Sequence, residues 1–257
     1  MTVRSQFFSA DEGDAVAVEN EMGKHAVLLV CEHASRTLPA RYGDLGLSDD
    51  VLSSHIAWDP GALAVARLLS AKLDATLIFQ RFSRLIYDCN RPPESPSAMP
   101  VTSEIYDIPG NRNLSEAERF ARTAALYIPF HEGIASLIEK RKITGVGTVI
   151  VTIHSFTPIY HGHSRAVEIG ILHDSDSRLA DEMLAAARGS LFKIERNEPY
   201  GPEDGVTHTL RLHALADGLL NVMIEVRNDL IQDGEGQRKA AAVLADLLEK
   251  GLASQRS

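Results

Sequence analysis

Two histidines and a glutamate lie at the ends of apolar segments that are typical of buried β-strands. His33 lies two residues after the segment AVLLVC, His154 directly follows GTVIVTI, and Glu225 lies within NVMIEVR. Two imidazoles with a carboxylate from a nearby acidic residue form the ligand set of a catalytic zinc ion, which keeps one further position for water. The two histidines, with acidic residues nearby, therefore predict a hydrolytic site that uses zinc or another divalent metal.

Glu225 is the candidate general base. A charged residue inside an otherwise apolar strand is costly to bury unless it is paired or used in chemistry. Arg227, two residues further on and on the same face of the strand, is the alternative partner. A buried carboxylate close to a metal has the raised basicity that proton abstraction from water requires, so we favour the catalytic interpretation.

Either Asp59 or Glu32 could be the carboxylate ligand of the metal. Asp59 precedes Pro60 and Gly61 at the start of a predicted helix, where aspartate is also a common N-cap. Glu32 is adjacent to His33, and neighbouring side chains of an extended segment point to opposite sides. From the residues alone, the capping interpretation of Asp59 stays at least as strong as the metal-ligand one.

Arginines are grouped near the predicted site. Arg81, Arg84 and Arg91 bracket the segment RLIYDC, and Arg165 follows the sequence HGHS. The planar guanidinium group suits a substrate carboxylate or a developing oxyanion. The histidines at positions 161, 163 and 173 could form a second metal cluster, but the sequence HGHSR has no predicted strand that would fix it, so we favour a polar loop there.

Two other functions compete with metal-dependent hydrolysis. Ser35 and Ser155 each lie close to a histidine in sequence, which would suit a serine hydrolase, but the G-x-S-x-G motif is absent. A non-catalytic protein that binds a metal or a small molecule is the second alternative. Hydrolysis that survives complete removal of metal would favour the first, and bound metal without hydrolysis would favour the second.

The elements that must position these residues alternate between strands and helices. Predicted strands cover residues 26–31, 75–80, 84–89, 147–153, 166–172, 191–197 and 221–227. Predicted helices cover residues 61–73, 115–141, 177–189 and 235–251. Such alternation favours a single α/β domain over residues 1–257, with a mostly parallel or mixed sheet and helices on both faces. Residues 91–115 contain five prolines and predict a long ordered loop.

The composition of the chain limits the kinds of molecule that we expect it to bind. The chain has 257 residues, 44% of them hydrophobic, and a formal net charge of −9. This charge argues against nucleic acid and against an anionic membrane surface, which leaves a small molecule as the expected partner. The N-terminal segment lacks the pattern of a signal peptide, so we expect a cytoplasmic protein, and Cys31 and Cys89 are predicted to be buried thiols. Nothing in the sequence indicates an oligomeric state.

Several segments together carry a family resemblance. In this order, the chain contains VCEHASRTLP, AWDPGALAVARLLSAKLDA, SRLIYDCNRPP, VTIHSFTP, NEPYGPEDGVTHTLR and VMIEVRNDL. They resemble the successive motifs of the N-formylglutamate amidohydrolase family, from about residue 25 to the C-terminus. The resemblance implies a phosphorylase/hydrolase-like α/β fold akin to zinc exopeptidases. It also implies metal ligands at His33, Asp59 and His154, with Glu225 as general base.

The resemblance extends to the substrate, an N-acyl amino acid. Asn90 and Arg91 are similar to the Asn-Arg pair that holds the substrate carboxylate in zinc carboxypeptidases and acyl-amino-acid deacylases, and Arg84 would face the oxyanion. The remaining residues expected to bind substrate are Arg165, His208, Arg211 and Arg227. Characterised formylglutamate deformylases have a Pro-His-Ser-Gly motif where this chain has CEHAS, so the chain resembles a divergent branch whose acyl group and amino acid are open.

Overall fold

The structure, a computed structural model, describes residues 7–9 and 11–255. Residues 1–6, which begin the segment interpreted above as lacking a signal peptide, lie outside this part. The strands are β1 (Val16–Glu19), β2 (Val27–Cys31), β3 (Thr76–Gln80), β4 (Thr102–Ser103), β5 (Tyr106–Asp107), β6 (Val149–Phe156), β7 (Ile159–Tyr160), β8 (His163–Ser164), β9 (Ile169–Leu172), β10 (Ile194–Arg196) and β11 (Asn221–Arg227). The helices are α1 (Asp49–Ser53), α2 (Ala62–Leu73), α3 (Glu116–Arg122), α4 (Ile128–Ile143), α5 (Arg178–Ala186), α6 (His208–Leu210) and α7 (Gly234–Ser254).

Seven strands form one mixed sheet in the order β1-β3-β2-β6-β11-β9-β10. The four central strands, β3, β2, β6 and β11, are mutually parallel. At one edge β1 runs antiparallel to β3, and β9 runs antiparallel to β11 on the other side. The parallel centre is typical of sheets that are covered on both faces, and the mixed, mostly parallel sheet predicted from the sequence is confirmed.

Helices cover both faces of this sheet. Helices α2, α5 and α7 pack on one face, where Leu29 of β2 contributes to the core. Helix α4 and the segments before and after α6 pack on the other face together with Leu28 of β2. Adjacent residues of β2 thus enter opposite cores, which explains why the strand sequences are apolar without alternation. In the described part of the chain, no helix combines the length and apolar character needed to cross a bilayer.

Six of the seven predicted strands are present, with bounds that differ by up to three residues at either end. The exception is residues 84–89, which form turns instead of a strand. Ser83 causes this: its side chain accepts a hydrogen bond from the Leu85 N–H, and its carbonyl accepts one from Ile86. Such local side-chain bonds compete with pairing in a sheet. Strand β1 was not predicted.

The predicted helices and the long loop are confirmed. The helix predicted over 115–141 is continuous from Glu116 to Ile143, but a π-helical turn at Thr123–Tyr127 separates α3 from α4. That turn precedes Pro129, whose missing N–H would interrupt an ordinary α-helix. The loop over 91–115 contains the two-residue strands β4 and β5 but no long element. Both cysteines are free and buried, as predicted.

Candidate active site

Two histidines and an aspartate bring one donor atom each to the carboxyl ends of the central strands. His33 follows β2, His154 lies in β6, and Asp59 lies just before α2. The His154 Nδ1 and His33 Nδ1 atoms lie 2.9 and 3.3 Å from Asp59 Oδ2, and the two nitrogens are 3.2 Å apart. Three ligands of a tetrahedral ion at about 2.0–2.1 Å lie roughly 3.3 Å from each other, so the donor triangle fits a metal such as zinc.

A second carboxylate holds the far side of each imidazole. The His33 Nε2–H donates to Asp88 Oδ1 at 2.7 Å, and His154 Nε2 lies 3.0 Å from Glu32 Oε2. A carboxylate on one ring nitrogen leaves the lone pair of the other nitrogen for a metal and fixes the ring orientation. Glu32 therefore contacts the outer edge of His154, and only Asp59 of the two candidate carboxylates reaches the donor triangle.

The Asp59 side chain does not cap α2. Gly61 precedes the helix with a φ of +82°, and a Cβ atom there would lie 2.5 Å from the Ile231 carbonyl oxygen, so the turn requires glycine. This turn leaves the Asp59 carboxylate free to point away from the helix. Its Oδ2 instead accepts a hydrogen bond from the Ser155 N–H at 3.2 Å. The capping interpretation is therefore wrong for the Asp59 side chain.

Electrostatics at the donor triangle suit a cation. Burial raises the pKa of Asp59, but the neighbouring His33 and His154 outweigh it and lower that pKa well below its usual range. Burial lowers the pKa of His154, but Glu32 and Asp59 outweigh it and raise that pKa well above its usual value. The Asp59 carboxylate is thus kept ionised and the imidazoles are kept protonated, so a metal ion would have to displace protons from the histidines.

Glu225 lies beside His154 on the neighbouring strand. The two residues are register partners in the parallel pair β11 and β6, and both side chains line the same cavity. Burial raises the pKa of Glu225 to about 7, despite the lowering effect of His154. Within residues 7–9 and 11–255, Glu225 Oε2 has no hydrogen-bond partner. This carboxylate is therefore free to exchange a proton with a molecule in the cavity.

Arg227 does not pair with Glu225. Its Nε donates to Asp229 at 2.8 Å, and another guanidinium nitrogen donates to the carbonyls of Arg165 and Val167. The side chain lies outside the cavity that Glu225 lines. Arg227 therefore holds neighbouring loops together, and the structure does not bring it to the site where substrate binding was predicted.

Arg84 is held between two carboxylates of the site. One guanidinium nitrogen lies 3.4 Å from Asp59 Oδ1 and another lies 2.5 Å from Asp88 Oδ2. The turn over residues 84–89 creates this contact, because it brings Arg84 and Asp88 together at a spacing of four residues. Arg84 lines the cavity, but much of its hydrogen-bonding capacity orients the metal-site carboxylates.

A cavity of about 560 Å³ opens in front of these groups. Of the residues predicted to form the site, those lining it are His33, Asp59, Arg84, Asn90, Arg91, His154, Arg165 and Glu225. His208 and Arg211 line a neighbouring cavity instead. The Asn90 amide is used within the protein: it donates to the Val206 carbonyl and accepts from the Thr209 N–H.

Two arginines in the cavity have no carboxylate within 4 Å in the described part of the chain. Arg91 donates to the carbonyl of Gly205. Arg165 donates to the Tyr200 hydroxyl at 2.9 Å, and its guanidinium carbon lies 4.4 and 4.7 Å from the ring centres of Tyr160 and Tyr200. Stacking on two rings orients a guanidinium without neutralising it. Both arginines thus retain the charge to bind an anion.

The sequence interpretation missed the tyrosine pair and the role of Asp88. Asp88 lies within the apolar run RLIYDC, so the argument from a costly buried charge that selected Glu225 applies equally to it. The segment HGHSR, predicted as a loop without a strand, contains the two-residue strand β8, which pairs with β7, so that prediction is wrong for His163 and Ser164. Across residues 7–9 and 11–255, one set of three histidine, cysteine, aspartate or glutamate side chains is close enough to hold a metal ion, and it consists of His33, Asp59 and His154.

The sequence of this chain matches one protein-family model over most of its length. The N-formylglutamate amidohydrolase model matches residues 25–232. The chain belongs to this family. The match spans all of the site residues described above, from His33 to Glu225. No curated protein sequence matches the chain.

Two solved structures are similar over nearly the whole chain. A gene product from Agrobacterium tumefaciens is 68% identical, with a TM-score of 0.97 and coverage of 98% of this chain and 100% of the other. The N-formylglutamate amidohydrolase from Ralstonia eutropha JMP134 is 20% identical, with a TM-score of 0.65 and coverage of 95% of this chain and 99% of the other. The second similarity shows that this chain and the Ralstonia eutropha protein share a fold.

Proposed function

We propose that this family member is a metal-dependent hydrolase that cleaves the amide bond of an N-acyl amino acid, with Glu225 as general base. The observation that carries the proposal is the pairing of two features in one cavity. His33, Asp59 and His154 form a donor triangle, and the Glu225 carboxylate beside it has a free oxygen. The neighbouring carboxylates of Glu32 and Asp88 are already engaged with the histidines.

The chain supplies the groups that such a reaction requires. A divalent ion held by His33, Asp59 and His154 would lower the pKa of water and polarise the amide carbonyl. Glu225 takes a proton from the attacking water, because its pKa of about 7 is matched to neutral pH. The protonated carboxyl then delivers this proton to the departing amine nitrogen.

Substrate orientation falls to the two arginines that lack a carboxylate partner. Arg91, after the 84–89 turn, and Arg165, after β8, both line the cavity, and each suits a carboxylate of the amino acid. Asn90 acts indirectly, because its amide anchors the segment over residues 206–209. Arg84 holds Asp59 and Asp88 and also lines the cavity, where its guanidinium charge suits the developing oxyanion.

The decisive experiment measures metal content and hydrolysis on the same preparation. Purified protein loaded with zinc, manganese or cobalt is tested with N-formyl, N-acetyl and N-succinyl amino acids. We expect about one bound ion per chain and release of the free amino acid from at least one compound. Bound metal without hydrolysis would point to a binding protein, and hydrolysis after complete chelation would exclude the metal-dependent mechanism.

The hydroxyl contacts disfavour the serine-hydrolase alternative. The Ser155 hydroxyl donates to the Pro60 carbonyl at 2.8 Å, and the Ser35 hydroxyl donates to Thr37 at 3.0 Å. A nucleophilic serine needs its hydroxyl within hydrogen-bond reach of a base, and neither hydroxyl is directed at a histidine. The metal-dependent mechanism therefore fits the site better.

A further inference from the structure

A second cavity of about 570 Å³ lies next to the proposed active site. Arg91 and Asp204 line both cavities, so they form the wall between them. The first cavity contains all of the groups assigned to metal binding and proton transfer, and the second contains none of them. Arg91 can therefore contact a molecule from either cavity.

Hydrogen bonds hold together the two segments that form this wall. Arg91 donates to the Gly205 carbonyl, and the Gly201 N–H donates to Asp204 Oδ2 at 2.8 Å. Directly after this turn, the Val206 carbonyl accepts a hydrogen bond from Asn90. Two of these hydrogen bonds fix the Pro202–Asp204 turn against the segment that carries Arg91, and the Gly201–Asp204 bond closes the turn itself. The shape of the second cavity is thereby set by the same contacts that shape the first.

Charged groups of both signs face the second cavity without neutralising each other. Glu94, Glu203 and Asp204 have no cationic side chain within 4 Å in the described part of the chain, although all three line the cavity. Arg211 also lines this cavity, and in the described part of the chain it forms one long ion pair, between its Nε and Asp174 Oδ2 at 3.7 Å. A cavity that presents carboxylates without a cation and an arginine held by one long ion pair is complementary to a ligand that carries both signs.

We propose that the second cavity is a subsite for a zwitterionic group, a free ammonium together with a carboxylate, at the far end of the substrate. This inference rests on the proposed hydrolase function and names its substrate class: amides whose amino-acid part is extended beyond Arg91 by a further amino-acid group. Arg211 binds the carboxylate of that group, and Glu94 binds its ammonium. N-formylglutamate, which ends at Arg91, fills only the first cavity.

The test compares four extended compounds with N-formylglutamate. N-formylglutamate is joined, through either of its carboxyl groups, to ethylamine, β-alanine, ethylenediamine or the β-nitrogen of 2,3-diaminopropionate. The distal ends are then neutral, anionic, cationic and zwitterionic. We expect kcat/KM for the zwitterionic compound to exceed that for the neutral one by about tenfold or more, the size of a charge-assisted hydrogen bond.

Two variants assign the charges. In Arg211→Gln, the preference for the zwitterionic over the neutral compound should fall about tenfold and that for the anionic compound should fall with it, since one charge-assisted bond is lost. In Glu94→Gln, the preference for the zwitterionic compound should again fall, and the preference for the cationic compound should fall with it. Arg188→Gln, an exposed change outside both cavities, is the matched control and should leave every ratio as in the unmodified protein.

The outcomes separate the subsite from the hydrolase function. Cleavage of N-formylglutamate with equal kcat/KM for all four distal ends would overturn the subsite and leave the hydrolase function standing. A zwitterion preference that Arg211→Gln and Glu94→Gln leave intact would also overturn it. Absence of cleavage of all five compounds by metal-loaded protein that cleaves an N-acetyl or N-succinyl amino acid would overturn the subsite alone, and absence of cleavage of every N-acyl amino acid would overturn both proposals.

Discussion

Asp88 Oδ1 lies 2.7 Å from Nε2 of His33, on the ring edge that faces away from Asp59. This contact fixes the ring and presents its Nδ1 to the donor triangle. Replacing Asp88 with asparagine should lower metal affinity about 10- to 100-fold, the usual cost of losing such a partner. Competition with a chelator of known affinity measures the change. Asp176→Asn, at a surface ion pair with Arg178, is the control, and equal affinities in both variants would contradict the assignment.

Glu225→Gln should abolish proton transfer while preserving the metal site. The amide has nearly the same shape as the carboxyl group but cannot accept the proton, so we expect kcat to fall by about two orders of magnitude or more. Elemental analysis should find the same metal content as in the unmodified protein. Glu195→Gln, at a half-buried position of β10 outside the cavity, serves as the control, and near-normal turnover of Glu225→Gln would rule out its role as base.

The pH profile should report the same carboxyl group. Below its pKa, Glu225 holds its proton and cannot accept another, so kcat/KM should fall as pH is lowered, approaching tenfold per pH unit. Burial raises this pKa to about 7, and a divalent ion nearby would lower it again, so the midpoint should lie at or below neutral pH. The residual activity of Glu225→Gln should lack this acidic limb, and an acidic limb that persists in it must belong to another group.

Metal removal should destabilise the protein. An ion that binds only the folded chain stabilises it by about 2.7 kcal/mol at a free concentration of 100 times its Kd, which corresponds to a rise in Tm of roughly 5–10 °C for a chain of this size. Thermal unfolding with and without a chelator measures this shift. In His154→Ala the shift should largely disappear, since one of three donors is lost, and an undiminished shift there would place the metal elsewhere.

Arg165 should act mainly on substrate binding. Arg165→Lys keeps the positive charge but loses the planar fork and its stacking on Tyr160 and Tyr200. We expect KM for the preferred N-acyl amino acid to rise about tenfold, the cost of one charge-assisted hydrogen bond, with little change in kcat. Steady-state kinetics separate the two constants. Arg112→Lys, at an exposed ion pair with Asp107, is the control for the general effect of an arginine-to-lysine change. A fall in kcat without a change in KM would contradict a role in substrate binding and indicate that Arg165 acts in the chemical step.

The sequence revealed the sheet because its central strands are apolar on both faces, and it revealed His154 and Glu225 because polar groups at strand ends are conspicuous. It failed at residues 84–89, where apolar residues in a buried turn have the same composition as a strand. The choice between Asp59 and Glu32 needed the structure, because the turn at Gly61 decides where the Asp59 carboxylate points. The anchoring role of Asn90 could not be predicted either, because its hydrogen-bond partners, Val206 and Thr209, lie more than 100 residues away in sequence.

Asn90 joins two regions that an engineer would wish to vary separately. Its amide binds the segment over residues 206–209, and its backbone N–H donates to Asp88, the carboxylate behind His33. Residues within one hydrogen-bond network show non-additive effects when mutated together. Libraries that randomise the Pro202–Asp204 turn to reach new substrates should therefore return many variants that have lost metal, and mutations that tighten metal binding should widen the range of turns that directed evolution can accept.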